Sequence, residues 1–159
     1  MFGFFAVASE VVYYAFALGS SVFDSYLNTL ATISGQVLGL FGSEVRVSGS
    51  AIVGQDFAVA VAQGCDAIQV CALLAAAVLA FPVSWGARFR GLAIGIALLQ
   101  ALNILRIVTL YWIGAFFSDL FTTAHEVIWP GALIVVTIVT WIFWVRWETT
   151  APSLTPDVT

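Results

Sequence analysis

Apolar and polar positions fall into blocks of different period along the chain. Phe2 to Leu18 is an apolar run broken by one acid, Glu10. It predicts a first transmembrane helix at about the lower length limit of 17 residues. It has no basic n-region and no clean cleavage site, so it does not read as a signal peptide. From Ser20 to Leu40 the pattern changes. Leu27, Leu30, Ile33, Val37, Leu38 and Phe41 recur near helical spacing, while Asp24, Asn28, Thr29, Ser34 and Gln36 interrupt. This is an amphipathic helix, capped by Ser20 or Ser21, lying on the outer membrane surface or packed beside the bundle.

From Ser43 to Ala62 the period drops to two. Val45-Arg46-Val47 alternates, Ser48-Gly49-Ser50 turns, Ala51-Ile52-Val53 is apolar, Gly54-Gln55-Asp56 turns again, and Phe57 to Val61 alternates once more. A small β meander outside the bilayer follows, because open sheet edges do not face lipid. Asp66 to Val83 is a second predicted span, ended by Pro82. Ser84 to Arg90 reads as a connecting loop. Leu92 to about Phe117 is a third span, carrying Asn103 and Arg106. Ser118 to Ala124 reads as a short polar loop. Val127 to Val145 is a fourth span, with Pro130 tolerated in its first turn. Residues 1–147 therefore form one membrane-embedded domain, and 148–159 a disordered cytoplasmic tail with Pro152 and Pro156. The expected fold is an all-α polytopic membrane protein: about four transmembrane helices, an outer amphipathic helix and a small extracytoplasmic β meander.

Composition strengthens this assignment. The chain has 159 residues, 62% hydrophobic and 9% charged, against about a quarter charged in soluble domains. So much apolar surface cannot be hidden in a soluble fold of this size, so lipid is the solvent. A net charge of −4 leaves no basic footprint and argues against a nucleic-acid partner. Cys65 and Cys71, six apart on one predicted helix, are too far apart to pair. One histidine and one cysteine at the site leave too few ligands for a metal, and no cofactor is implied. Arg88, Arg90 and Arg146 flank the predicted spans on one side. Glu44, Asp56, Asp66, Asp119 and Glu126 lie on the other, with only Arg46 against them. The positive-inside rule puts the first set in the cytoplasm. Both termini are then cytoplasmic.

Three chemical groups reach one level in this topology. Cys65 opens the second span and His125 opens the fourth, both from outside. Arg106 lies 15 residues beyond Gly91, about 22 Å up the third span, in the outer third of a core about 30 Å thick. A charge within a span costs roughly 2.5–3.5 kcal/mol and marks function by default. A thiolate is a nucleophile, and a neighbouring cation lowers a thiol pKa. A helix start just beyond Cys65 would add its N–H groups to that effect. An imidazole can pass protons to and from amines, and a guanidinium can hold an oxyanion. Acyl transfer on a peptide needs those three roles. Taken singly, Cys65 could be packing and His125 an interfacial residue. Sequence gives depth, not helix order, so lateral proximity stays open.

Gln63-Gly64-Cys65-Asp66-Ala67-Ile68, Ala101-Leu102-Asn103-Ile104-Leu105-Arg106-Ile107 and His125-Glu126-Val127-Ile128-Trp129-Pro130-Gly131 carry a resemblance. Together with the alternating segment upstream they resemble the exosortase/archaeosortase family of membrane-embedded cysteine transpeptidases, over about Glu44 to Trp147. The compact members near exosortase H are the most similar. The resemblance implies catalytic places for Cys65, Arg106 and His125, with Asp66, Asn103 and Glu126 beside them as candidate substrate contacts. It implies cleavage of a C-terminal sorting signal (a short motif, a transmembrane helix and a basic cluster) on secreted proteins. The acyl group would form a thioester on Cys65 and pass to a cell-surface or lipid-linked amine. It implies a prokaryotic cytoplasmic membrane, with lipid around the chain and the site facing outward. The chain departs from the common pattern at Asp66-Ala67, where many members have Ser-Gly or Asn-Gly, and in being short. Two other readings fit the residues without the resemblance. One is a non-enzymatic assembly or scaffold subunit with Arg106 paired to Glu10 or another helix. The other is a small transporter using Glu10 and Arg106, although no inverted repeat supports it.

Overall fold

The computed structural model describes residues 21–55 and 57–150. The expected first span with Glu10, the alternative cap Ser20, Asp56 and the segment from 151 onward lie outside the described residues.

Helix α1, Ser21–Leu40, is the predicted amphipathic helix. Its buried positions Phe23, Leu27, Leu30, Ala31, Ser34 and Leu38 repeat every three or four residues, as one stripe of a helix must. That stripe packs on the sheet and on the long central helix rather than on a free surface. Ile33 and Phe41, expected in the same stripe, are exposed. The meander forms as β1 Arg46–Ser48, β2 Ala51–Val53 and β3 Ala58–Ala60, antiparallel in the order β1-β2-β3. Its register pairs Val47 with Ile52 and Ile52 with Val59, which stacks the apolar side chains on one face. Ile52, at the centre, is fully buried.

Helix α2, Ile68–Ala80, is apolar but has 13 residues, about 20 Å of helix. Among the described residues, two helical runs are long and apolar enough to cross a membrane, Trp85–Phe116 and Ser118–Thr150. Of the four expected spans, two therefore have the length, one is shorter than a bilayer requires, and one falls outside the described residues.

The first long run, α3, starts at Trp85 and not at Leu92. The expected loop shrinks because Ser84 caps the helix, its Oγ accepting from the Ala87 N–H at 3.4 Å. The two arginines that looked like loop residues find partners from the helix. Arg88 donates to the Phe81 carbonyl at 3.2 Å and lies over the Trp85 ring, while Arg90 pairs with Glu148 at 2.9 Å.

The expected polar loop at 118–124 is helical as well. Helix α4, Ser118–Thr123, runs into a π-turn, Ala124–Ile128, and on into α5, Trp129–Thr150. Pro130 explains the wide turn. It has no N–H, and its ring would strike the carbonyl four residues back. The Trp129 N–H instead reaches the Ala124 carbonyl, five residues back. Helix α5 continues through Thr150, three residues into the expected tail. Ile134, Val135, Ile138, Val139, Ile142 and Phe143 on α5 are exposed. A contiguous apolar surface of this kind is foreign to water-soluble monomers and suits lipid.

Two apolar clusters hold these elements. One joins α1, the sheet and the Ile107–Tyr111 part of α3. The other joins α2, α3 and α5 around Leu74, Val78, Leu99 and Trp144. Gly91 and Gly95 let the second cluster close. A Cβ on Gly91 would meet the Trp144 indole, and one on Gly95 would meet Leu74, the close helix approach that small residues permit.

Candidate active site

The loop between β3 and α2 lies where the two clusters meet. It makes a tight turn, with the Cys65 N–H donating to the Ala62 carbonyl at 2.9 Å. Gly64 has φ 88° and Ala67 has φ 59°. The left-handed conformation costs a residue with a Cβ about 1–2 kcal/mol, so the loop has to be held. Asp66 holds it from within. One carboxylate oxygen accepts the Gly64 N–H at 3.2 Å and the other the Ile68 N–H at 2.9 Å. From α1, the Tyr26 hydroxyl donates to the Asp66 carbonyl at 2.7 Å. From α3, Asn103 Nδ2 donates to the Cys65 carbonyl at 3.0 Å.

On this loop Cys65 Sγ lies 3.0 Å from Nε2 of His125. Arg106 Nη2 lies 3.8 Å from the same sulfur. Its two terminal nitrogens also reach the Gly64 carbonyl at 3.4 Å and the His125 carbonyl at 3.5 Å. Arg106 is 4% exposed, so it does not face lipid. The structure thus brings together the three residues that sequence placed only at a common depth. His125 is stacked on Phe121, ring centroids 5.7 Å apart and planes 8° from parallel.

Electrostatics differ from the sequence expectation. Burial pushes the Cys65 thiol above its ordinary pKa, and the Arg106 guanidinium pulls it down less strongly. The helix start lends no free donor at its first residue, because the Ile68 N–H is taken by Asp66. Burial thus favours the neutral thiol over the thiolate. With the ring proton on Nδ1, His125 Nε2 accepts the thiol hydrogen bond.

A cleft of about 360 Å³ opens onto the sulfur. The continuous stretch 57–63 forms one wall, and Arg106, Phe121 and His125 form the other. The three candidate substrate contacts do not line it. Asp66 is buried inside the loop, Asn103 lies beneath it, and Glu126 is exposed outside the cleft. Sequence reasoning missed Gln100, Tyr26 and Phe121. Gln100, Asn103 and Arg106 recur every three residues on an otherwise apolar helix, and Gln100 Nε2 comes within 3.5 Å of the Asp66 carbonyl; that polar stripe was legible. Phe121 precedes His125 by one helical turn, which shows only once the 118–124 segment is read as helix. Nothing local marks Tyr26, which bonds across 40 positions of chain.

Comparison with known proteins gives one match. The family described as Transmembrane exosortase (Exosortase_EpsH) matches residues 3–144. No curated protein and no solved structure matches the chain. A match over this much of the length places the chain, a helical membrane protein with a small sheet, in the transmembrane exosortase family.

Proposed function

We propose that this exosortase is a cysteine transpeptidase that cuts C-terminal sorting signals from secreted proteins and passes the new end to an amine acceptor. The observation that carries the proposal is the Cys65 thiol 3.0 Å from His125 Nε2, with Arg106 3.8 Å from the sulfur, at the floor of an open cleft.

His125 Nε2 takes the thiol proton as the sulfur attacks the scissile carbonyl carbon. The new C–S bond leaves negative charge on the oxygen. Arg106, held to two carbonyls only by long contacts, trades them for that charge. The backbone amides of Gly64 and Cys65 are already spent on Asp66 and Ala62, so the guanidinium, 3.8 Å from the sulfur, is the group placed to hold that charge. The C–N bond breaks, and the leaving amine takes the proton from His125. An acceptor amine then attacks the thioester and gives a proton to His125. The sulfur leaves and takes that proton back. Burial that favours the neutral thiol suits this order, since the base is needed only when substrate is in place.

The arginine-rich ends of α3 and α5, joined by Arg90 and Glu148, lie at the other end of α3 from Arg106. This supports a cytoplasmic membrane with the site at the extracytoplasmic face. Cys65→Ala is expected to abolish processing of a secreted protein bearing a motif, a terminal helix and a basic cluster, while the enzyme still inserts. Normal processing by Cys65→Ala refutes the function. Mass spectrometry of Cys65 trapped as a thioester tests the intermediate directly.

A further inference from the structure

Strand β3 ends five residues before Cys65 and forms the outer edge of the sheet. The ladder fixes which backbone groups of this strand are used. The Phe57 carbonyl accepts from the Gly54 N–H and the Val61 N–H donates to the Ser50 carbonyl, both at 2.9 Å. Odd-numbered residues therefore turn their N–H and C=O toward β2. By the alternation of a strand, Ala58 and Ala60 turn theirs the other way. Among the described residues nothing pairs with those groups. A strand that shows a face to a cavity contributes every second residue. Here 57–63 line the cleft without a gap, so the strand presents its edge. The residues on that edge are alanines, both exposed, which leaves room for a neighbouring chain. Arg106 and His125 stand across the gap, on the same cavity as the sulfur.

We infer that the cleft takes its polypeptide substrate as an added strand on β3, main chain to main chain, with the extended segment bonded to Ala58 and Ala60 and the scissile carbonyl delivered to Cys65. This rests on Cys65 being a nucleophile toward peptides. An exposed edge is a liability that proteins usually blunt with charge or proline. This one carries neither and opens onto the thiol, the geometry of recognition by strand addition. The consequence is recognition that depends on extended backbone first, with side chains selected at alternate positions.

The test uses peptide chloromethyl ketones, in which the Cys65 sulfur displaces chloride and forms a thioether. The enzyme in membranes is treated with acetyl-tetra-alanyl chloromethyl ketone, acetyl-alanyl chloromethyl ketone and iodoacetamide. The longer probe is expected to label Cys65 about tenfold or more faster than the shorter one, as two or more backbone bonds allow. Methylating alternate probe amides should erase the advantage, and methylating the intervening ones should leave it. In Ala58→Pro and Ala60→Pro, proline removes an edge N–H without touching the ladder to β2. Each should lower the ratio of long-probe to iodoacetamide labelling about three- to tenfold. Labelling that is independent of probe length, or sensitive to methylation without a period of two, overturns the docking mode. The probe comparison in the unsubstituted enzyme decides even if the proline variants fail to fold. Cys65→Ala separates the two proposals. If it still processes substrate, the function itself fails; if it is dead and probe length is irrelevant, only the docking mode fails.

Discussion

Asn103 offers a test of how the nucleophile is held. Its side chain is fully buried, and its Nδ2 donates to the Cys65 carbonyl at 3.0 Å. Asn103→Leu keeps the number and branching of the side-chain heavy atoms, at a somewhat larger volume, and removes the donor. A buried acceptor left without its partner costs about 1–3 kcal/mol. Two features pull this toward the lower end. Among the described residues the Asn103 Oδ1 is itself buried without a partner, so leucine also removes an unfavourable group. The loop also keeps its Asp66 and Tyr26 bonds. A loosening of about 1–2 kcal/mol lowers the population with sulfur, imidazole and guanidinium aligned by about 5–30-fold. The assay is substrate processing in membranes with matched amounts of enzyme, beside iodoacetamide labelling of Cys65. Processing should fall by that factor while thermal stability in detergent changes little. Asn103→Gln, which keeps a donor one methylene away, should fall less. Wild-type processing by Asn103→Leu would show that the loop does not need this bond.

Other outcomes follow from the same geometry. Because burial raises the Cys65 pKa, its alkylation should be slower at neutral pH than that of a solvent-exposed thiol and should climb above the ordinary thiol range. Arg106→Gln removes the one nearby cation that opposes burial, so labelling should slow further at every pH below that range; faster labelling at neutral pH would contradict this. Gly95→Val should cost about 1–3 kcal/mol of stability through overpacking against Leu74, read as a lower melting temperature in detergent. Gly131→Ala, with open space around the new methyl, should be neutral or stabilising by up to about 1 kcal/mol. Glu148→Gln should shift stability by less than about 1 kcal/mol, since its partner Arg90 is 61% exposed.

The meander and α1 could be read from periodicity because a side chain's direction repeats every two residues in a strand and every three to four in a helix. The common depth of Cys65, Arg106 and His125 was legible for a related reason. Cys65 and His125 lie at boundaries between polar and apolar sequence, and helix rise converts the position of Arg106 within its span into height. Element boundaries near charge were less legible. Arg88 and Arg90 looked like a loop until Phe81, Trp85 and Glu148 supplied partners from elsewhere in the fold. The 118–124 segment looked like a loop because its polar side chains need no tertiary partner on an exposed helix.

The order of apolar and polar residues by itself determined the class of solvent and most kinds of element, because both depend on local composition and fixed backbone geometry. Only the tertiary structure decided that the three groups share a pocket, that burial pushes the thiol pKa up and that a strand edge borders it. Those depend on which helices lie side by side and on how much water they exclude, and neither quantity is written at any single position.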